Sequence, residues 1–279
     1  MRVLVVGPGY VGKVVAERLV ADSHQVRAMR RSASPVPGDP DPITTDIATP
    51  IDHPREEFDA VVYAVSPSER TPTAYRAAYV DGPAHVLDWL GWPADRGRFV
   101  LVSSTGVYGQ RDGGWVDETT DPDPATPTGE VILEGEGTLL TRHPGAVVLR
   151  LGGIYGPGRT RTIERVAQGD MPCPPPGIYG NRIHRDDAAG AAVHLAMLDD
   201  PKDVYIGVDR EPADLRETYR WLADRVGVPS PCEGATEEVD DVPERRGTNK
   251  RCDGKRLVES GYRFTYSTFR EGYGSLLND

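Results

Sequence analysis

Residues 2–19 read RVLVVGPGYVGKVVAERL, and this stretch decides the fold of the chain. An apolar strand runs directly into a Gly-x-Gly-x-x-Gly turn, which runs into an amphipathic helix. Gly7 would make the tight turn, Gly9 would let the backbone approach a pyrophosphate, and Gly12 would let the helix pack closely on the strand. The free N–H groups at the helix N-terminus would bind the phosphates. The stretch therefore predicts a dinucleotide-binding unit, the alternative being a glycine turn without a ligand.

The end of the second predicted strand indicates which dinucleotide is bound. That strand spans 24–29 and is followed by Arg30-Arg31-Ser32, about 20 residues after the last glycine, where a site that prefers NAD usually carries Asp or Glu for the ribose 2′-OH. Arginine at this position accommodates a 2′-phosphate instead. The sequence therefore favours NADP(H), and the alternative is a solvated basic loop.

Composition limits the classes of partner. The chain has 279 residues, with 43 Asp and Glu against 32 Lys and Arg, and its formal net charge is −11. This length fits one large α/β unit or a Rossmann domain with a smaller appendage. The negative charge argues against nucleic acid and against an anionic membrane surface as partner. We therefore expect a small-molecule substrate, no nucleic-acid partner and no membrane partner.

The cysteines predict the compartment. Cys173, Cys232 and Cys252 lie far apart without a Cys-x-x-Cys pair, so their spacing predicts neither a disulfide framework nor a metal site. Free thiols are typical of a reducing compartment, and a core strand at residue 2 leaves no signal peptide before it. The expectation is a cytoplasmic protein without a bound metal.

Strand and helix patterns alternate along the first two thirds of the chain. This alternation is typical of an α/β protein with a Rossmann-type, doubly wound parallel sheet. Residues 1–152 with 182–208 would form the NADP(H)-binding domain, and 153–181 with 209–279 a smaller substrate-binding or lid region. The predicted strands are 2–6, 24–29, 59–65, 98–103 and 146–151, and the predicted helices are 11–21, 71–91, 129–142, 161–168, 186–198 and 214–226.

The last 50 residues differ in composition from the rest of the chain. An acidic stretch at 233–244 precedes a basic one at 245–251, and such charge runs are usually solvated, so we expect a surface loop and part of a lid. The final segment predicts a short helix, an aromatic strand and a last helix. The strand would carry Tyr262, Phe264 and Tyr266.

Three later segments resemble a known family. They read FVLVSSTGVYG at 99–109, LRLGGIYGPG at 149–158 and RIHRDD at 182–187. With the glycine turn, they resemble extended short-chain dehydrogenases/reductases, most closely the atypical subfamily of NAD-dependent epimerase/dehydratase-like proteins. Members of that subfamily carry a Trp-x-Asp-Glu element after the VYG loop, here 115–118, and end as this chain does at 269–272.

The resemblance implies a set of cofactor contacts. The Asp equivalent to Asp46 contacts the adenine amino group in the family, residues 64–66 would flank the adenine ribose, and Ser103 with 152–154 would lie along the nicotinamide half. The whole predicted cofactor site is Gly7, Gly9, Tyr10, Val11, Gly12, Arg30, Arg31, Ser32, Asp46, Ile47, Ala64, Val65, Ser66, Ser103, Gly152, Gly153 and Ile154.

The chain departs from the family at the catalytic positions. Family members carry a Tyr-x-x-x-Lys pair on the helix after the VYG loop, and the matching positions here hold Thr128 and Ile132. An aliphatic hydroxyl is a poor proton donor because its pKa lies far above neutrality. The family serine that polarises the substrate carbonyl matches Ser104. Gly153 stands where nucleotide-sugar enzymes carry an Asn that contacts the sugar diphosphate, which argues against a nucleotide-sugar substrate.

Other residues could supply the missing proton donor. Tyr108 and Tyr155 follow strands at the edge where ligands bind in open α/β sheets, although each would otherwise be a structural tyrosine. Glu136 shares a helix face with Ile132, and its pKa would rise in an apolar pocket, unless it lies at the helix surface. The candidate catalytic residues are Ser104, Tyr108, Thr128, Tyr155 and Glu136.

These features predict an NADPH-dependent reductase of a small carbonyl or imine substrate with a non-standard proton donor. Arg159 and Arg161 follow the Gly-Pro-Gly turn and would bind an anionic substrate group, or else belong to a solvated loop. The alternatives are an epimerase, isomerase or dehydratase of the same fold, and a non-catalytic NADP(H)-binding sensor. The helices at 71–91 and 129–142 form a dimer interface in many relatives, so a homodimer is a further expectation.

Overall fold

A computed structural model describes residues 1–39, 41–93, 96–235 and 248–277. Its centre is a seven-stranded parallel sheet with the order β11-β7-β5-β4-β1-β2-β3, which confirms the predicted doubly wound α/β fold. Short two-stranded pairs join β8 to β10, β9 to β12 and β6 to β13. The strands are β1 (Arg2–Val6), β2 (Gln25–Arg30), β3 (Ile43–Thr44), β4 (Ala60–Tyr63), β5 (Arg98–Ser104), β6 (Trp115–Val116), β7 (Val147–Leu151), β8 (Gly153–Tyr155), β9 (Tyr179–Gly180), β10 (Arg182–His184), β11 (Val204–Gly207), β12 (Ala213–Asp214) and β13 (Arg251–Cys252).

Helices cover both faces of the sheet. The central strands are apolar throughout because both faces are buried, as in β1 and β4. The predicted helix at 71–91 is divided by a π-helical turn at Ala77–Asp81. The helices are α1 (Gly12–Ala21), α2 (Pro72–Arg76), α3 (Gly82–Leu90), α4 (Pro127–Arg142), α5 (Arg161–Ala167), α6 (Arg185–Met197), α7 (Leu215–Val226), α8 (Lys255–Glu259) and α9 (Phe269–Leu277).

The hydrophobic core has three clusters. One lies between the sheet and the pair α1 and α6, and a second lies on the opposite face under α3 and α4. The third belongs to the region that the sequence assigns to a smaller substrate-binding or lid unit, a division that stays a prediction. The buried members of the third cluster are Tyr155, Ile163, Val166, Met171, Ala213, Leu222, Ala223, Phe269 and Tyr273.

The predicted aromatic strand near the end of the chain does not form. Its backbone bonds to a carboxylate instead of a neighbouring strand, since Asp187 Oδ1 accepts from Thr265 N at 2.7 Å and Asp187 Oδ2 from Tyr266 N at 2.9 Å. The Tyr262 hydroxyl also donates to Asp187, at 3.0 Å. Asp187 at the start of α6 therefore fixes the path of the final segment.

The cysteine prediction is wrong in one respect. Cys173 and Cys232 form a disulfide, with their Cα atoms 4.9 Å apart and a sequence separation of 59. Spacing along the chain does not reveal that the loop after α5 meets the loop after α7. Cys252 is free and buried, and burial raises the pKa of its thiol to about 12. The argument from three free thiols to a reducing compartment therefore loses its basis.

Two further expectations concern the surface. Part of the predicted charged loop, residues 236–247, lies outside the described residues. Lys250, expected in the solvated basic stretch, is buried and donates to the backbone oxygen of Tyr108 at 2.8 Å. Among the described helices, none combines the length and the apolar character needed to cross a membrane.

Candidate functional site

One cleft opens at the carboxyl ends of β1, β4, β5 and β7, which is the edge where open α/β sheets bind ligands. A separate depression, at the far end of α1 around Arg18 and His194, contains none of the predicted site residues. The described residues that line the cleft are Tyr10, Val11, Ala64, Val65, Ser66, Tyr79, Val102, Ser103, Ser104, Leu151, Gly152, Ile154 and Arg159.

The glycine turn has room for a ligand at one position and none at the other two. Gly7 has φ +76°, and a Cβ there would lie 2.7 Å from the Val65 side chain. A Cβ on Gly12 would collide with the Gly7 carbonyl oxygen, whereas a Cβ on Gly9 would have no atom nearer than 4.0 Å. Gly7 and Gly12 thus close the turn, and Gly9 faces open space.

The N-terminus of α1 supplies unpaired donors beside that space. Among the described residues, none accepts a hydrogen bond from the backbone N–H of Tyr10, Val11 or Gly12, while Lys13 N donates to Gly9 O at 3.0 Å. Unpaired N–H groups and the positive end of the helix dipole favour an anion. The residues of the turn therefore fit the pyrophosphate of a dinucleotide.

The predicted 2′-phosphate residues lie next to this turn. Arg30 is the last residue of β2, and a bond of 3.0 Å from Gly7 N to Met29 O holds the strand end beside the turn. Arg30 donates to the Ser34 backbone oxygen at 3.2 Å, and Arg31 and Ser32 are exposed. None of these three side chains is among the residues that line the cleft.

Ser104 lies on the cleft with its hydroxyl group available to polarise a ligand. Its Oγ accepts the Gly106 N–H at 3.0 Å, and it is half-buried at the end of β5. Because the hydroxyl oxygen accepts this bond, the hydroxyl proton is available to a ligand oxygen. Of the five candidate catalytic residues, Ser104 is the one that the structure places on the cleft.

A buried polar network lies directly behind Ser104. The Ser103 hydroxyl donates to Glu136 at 2.5 Å, and Arg150 binds the same carboxylate through Nε and Nη2 at 3.1 and 2.7 Å. Burial alone would lower the pKa of Arg150, but Glu136 and Tyr108 outweigh it and raise that pKa. Glu136 is thus the partner of a guanidinium and does not face the cleft.

Tyr108 closes the other end of the network. Its hydroxyl accepts from Arg150 Nη1 at 2.6 Å and donates to Asp117 O at 2.9 Å. Burial raises the pKa of Tyr108 to about 12, although Arg150 opposes the shift. The Trp-x-Asp-Glu element is structural as well, since Glu118 accepts the N–H of Ile206 on the edge strand β11 at 2.9 Å.

The remaining catalytic candidates lie away from the cleft. Tyr155 belongs to the third core cluster, where it packs on Tyr273 with ring centroids 4.4 Å apart, and burial raises the pKa of Tyr155. Thr128 lies in the first turn of α4, with its Oγ1 3.2 Å from that of Thr126. Ile132, which the resemblance aligns with the family lysine, is buried in the core.

Besides the three turn glycines and residues 30–32, three more predicted cofactor residues are absent from the cleft lining, namely Asp46, Ile47 and Gly153. Asp46 Oδ1 accepts the Ala48 N–H at 3.0 Å, and Ile47 packs against the second core cluster. Gly153 is exposed and donates to Asn181 O at 2.9 Å. The other predicted residues after β4, β5 and β7 do line the cleft.

Tyr79 is a cleft residue that the sequence reading missed. It belongs to the π-helical turn between α2 and α3, and π-helical turns are frequent at functional sites. Its ring stacks on Tyr75 at 5.8 Å, and among the described residues no hydrogen-bond partner is found for its hydroxyl. Burial raises the pKa of Tyr79, so the phenol remains protonated at neutral pH. No motif marks this position, because a regular helix pattern hides the π turn.

Comparison with known proteins places the chain in a family. The sequence pattern of the NAD dependent epimerase/dehydratase family matches residues 3–207. No curated protein matches the chain. A solved structure described as an NAD-dependent epimerase/dehydratase of Methylobacillus flagellatus is 34% identical, with a TM-score of 0.81, over 99% of this chain and 97% of that one.

Two more distant structures share the fold. A human epimerase family protein, solved with NADPH, is 19% identical with a TM-score of 0.78, over 100% of both chains. The UDP-glucose 4-epimerase of Thermus thermophilus, solved with NAD, is 22% identical with a TM-score of 0.75, over 100% of this chain and 98% of that one.

Proposed function

The chain belongs to the NAD-dependent epimerase/dehydratase family, and from that premise we propose that it is an NADP(H)-dependent reductase of a small carbonyl or imine substrate. The observation that carries the proposal is that one cleft brings Ser104 and the N-terminus of α1 together. One end of this cleft fits a pyrophosphate, and the other end offers a hydroxyl donor.

The preference for NADP(H) rests on charge. Arg30 ends β2 beside the glycine turn and Arg31 follows it, where a guanidinium can bind a 2′-phosphate through two parallel hydrogen bonds. A carboxylate at the end of this strand would instead bind the 2′-OH of NAD. The bound nicotinamide would supply the two-electron chemistry.

The chain's own residues would orient the substrate and manage its proton. Ser104 donates a hydrogen bond to the carbonyl or imine acceptor, which stabilises the negative charge that develops there. Tyr10 and Tyr79 both place a phenol on the same cleft. The Tyr10 hydroxyl donates to the Pro157 backbone oxygen, so we assign Tyr79 the role of proton donor in place of the tyrosine of the family pair. The Ser103–Glu136–Arg150 network holds the end of β5 rigid beneath both groups.

The first test is a titration of the purified protein with NADPH and with NADH, followed by nicotinamide fluorescence. R30A and R31A should weaken NADPH binding about tenfold or more, because each removes a charged hydrogen-bond donor, and they should leave NADH binding unchanged. R220A, which removes an exposed arginine of α7, is the matched control. Absence of binding of either nucleotide to the wild type would overturn the proposal.

The second test uses a panel of carbonyl and imine compounds with NADPH. The reductase predicts net consumption of NADPH that S104A and Y79F abolish without changing the affinity for NADPH. An epimerase or isomerase, which the family membership favours as the second candidate, would convert its substrate with no net consumption. Dinucleotide binding without any turnover would point to a sensor.

A further inference from the structure

Arg159 reaches the cleft from the loop between β8 and α5, in the region that the sequence assigns to substrate binding. The segment Gly156–Arg159, here called the strap, follows β8 and folds back on itself, with Arg159 N donating to Gly156 O at 2.8 Å. Gly158 has φ +77°, a conformation that favours glycine. This tight turn places the Arg159 side chain among the residues that line the cleft.

Two contacts attach the strap to the glycine turn, and both are made with Tyr10. The Arg159 guanidinium carbon lies 4.0 Å from the ring centroid of Tyr10, and the Tyr10 hydroxyl donates to the Pro157 carbonyl oxygen at 3.0 Å. Tyr10 is one of the residues of the Gly-x-Gly-x-x-Gly turn whose backbone N–H has no acceptor among the described residues. The strap is therefore seated on the part of the turn that fits a pyrophosphate.

Arg159 brings an unbalanced positive charge to this place. Across the part of the chain that the structure describes, no residue accepts a hydrogen bond from its guanidinium or forms an ion pair with it. Arg185, whose guanidinium carbon is 5.4 Å from the same ring, is already paired with Asp186 at 2.9 Å. A guanidinium that stacks on an aromatic ring keeps its N–H donors free at its edge, so Arg159 can still bind an anion.

We infer that Arg159 binds the pyrophosphate of the dinucleotide, with Tyr10 holding the guanidinium above the glycine turn. This inference rests on the proposed function and assigns Arg159 to the cofactor and not to an anionic substrate group. The strap then adds a charged side chain to the backbone N–H groups of α1. The pyrophosphate is therefore bound by the strap as well as by the glycine turn.

The test compares R159Q with R161Q in dinucleotide binding. Arg161 is an exposed residue at the start of α5 and is the matched control. The probes are NADPH and ADP-ribose, which contain a pyrophosphate, and 2′-AMP, which does not. R159Q should weaken NADPH and ADP-ribose about tenfold, the usual effect of losing a charged hydrogen bond. It should leave 2′-AMP unchanged, and R159K should restore part of the loss.

The outcomes separate this inference from the proposed function. If the wild type binds no dinucleotide, the proposed function fails. If it binds NADPH and R159Q binds NADPH equally well, the role of Arg159 alone is refuted. An equal loss for 2′-AMP would also refute it, since the arginine would then act on the whole turn and not on the pyrophosphate.

Discussion

Arg150 holds the carboxylate of Glu136 beneath the cleft, with Nη2 2.7 Å from Oε2 and side-chain exposures of 6% and 2%. The pair joins α4 to β7 at the level of Ser103, which donates to the same carboxylate. A buried ion pair of this kind adds little net stability by itself, but the loss of one partner leaves the other charge buried and unpaired. The pair therefore acts as a positioning element for the floor of the cleft.

Removal of the carboxylate charge should destabilise the fold. We expect E136Q to lower the free energy of unfolding by roughly 3 kcal/mol, because Arg150 would be left as an uncompensated buried charge. Urea unfolding followed by circular dichroism measures this. E134Q on the same helix breaks the exposed Arg76–Glu134 pair and should leave stability near that of the wild type. Equal losses for the two variants would contradict the prediction.

Two glycines of the turn should respond differently to alanine. G9A adds a methyl group with no protein atom nearer than 4.0 Å, so the melting temperature should hardly change. NADPH binding should fall at least tenfold, because the added methyl group would collide with the pyrophosphate. G12A drives a Cβ into the Gly7 carbonyl and should lower the melting temperature as well. The two measurements are differential scanning fluorimetry and nicotinamide fluorescence. Normal NADPH affinity in G9A would argue against a ligand above this residue.

The disulfide predicts a specific count of reactive thiols. Native protein should show no fast-reacting thiol, because Cys252 is buried and burial raises its pKa to about 12. After denaturation one thiol should react, and after reduction three should react, as Cys173 and Cys232 are released. In the C252S variant no thiol should react, even after denaturation, until the disulfide is reduced. Two or more thiols in denatured, unreduced protein would show that Cys173 and Cys232 are not joined.

Loss of that disulfide should also cost stability. Closing a loop of 59 residues stabilises a fold by about 4 kcal/mol in the chain-entropy treatment. C173S and C232S should each lower the free energy of unfolding toward that amount, and the double variant should lose no more than either single one. Additive losses in the double variant would exclude the disulfide as the shared cause.

Asp209 should make stability depend on pH. Burial raises its pKa from 3.8 to about 7, with help from Glu211 and Asp187 and against the opposing charge of Arg182. Between these two values the folded state keeps a proton that the unfolded state has lost, so stability falls as pH rises through this window, by about 4 kcal/mol in total. D209N should flatten that fall, measured by urea unfolding at several pH values.

The control for this prediction is an exposed carboxylate. D224N on α7 should retain the wild-type slope of stability against pH. A steep fall that survives in D209N would assign the effect to another group.

Much of the parallel sheet and the glycine turn was predictable from sequence because the signals are local. The turn at Gly7, Gly9 and Gly12 lies within one strand-turn-helix stretch, and the apolar runs of β1 and β5 mark strands buried on both faces. The fold class and the family follow from these segments together with the later motifs. Ser104 was predicted as a candidate because a motif surrounds it, and it lines the cleft.

The rest depended on contacts between distant residues. Glu136 lies on the helix face that periodicity predicts, but no local pattern shows that Arg150 meets it from β7. The partner of Cys173 is similarly invisible in its spacing from Cys232. Tyr79 reaches the cleft through a π-helical turn that apolar periodicity reads as ordinary helix. These features require the tertiary structure.

The third core cluster has a consequence for the order in which the protein can be completed during synthesis. Its members come from three separate stretches, and Tyr155 leaves the ribosome more than a hundred residues before its ring partner Tyr273. All strands of the seven-stranded sheet have been synthesised once the chain reaches Gly207, so the sheet can form earlier. The apolar side chains around Tyr155 must wait for the last helix, and apolar surface that is exposed during folding is prone to aggregation.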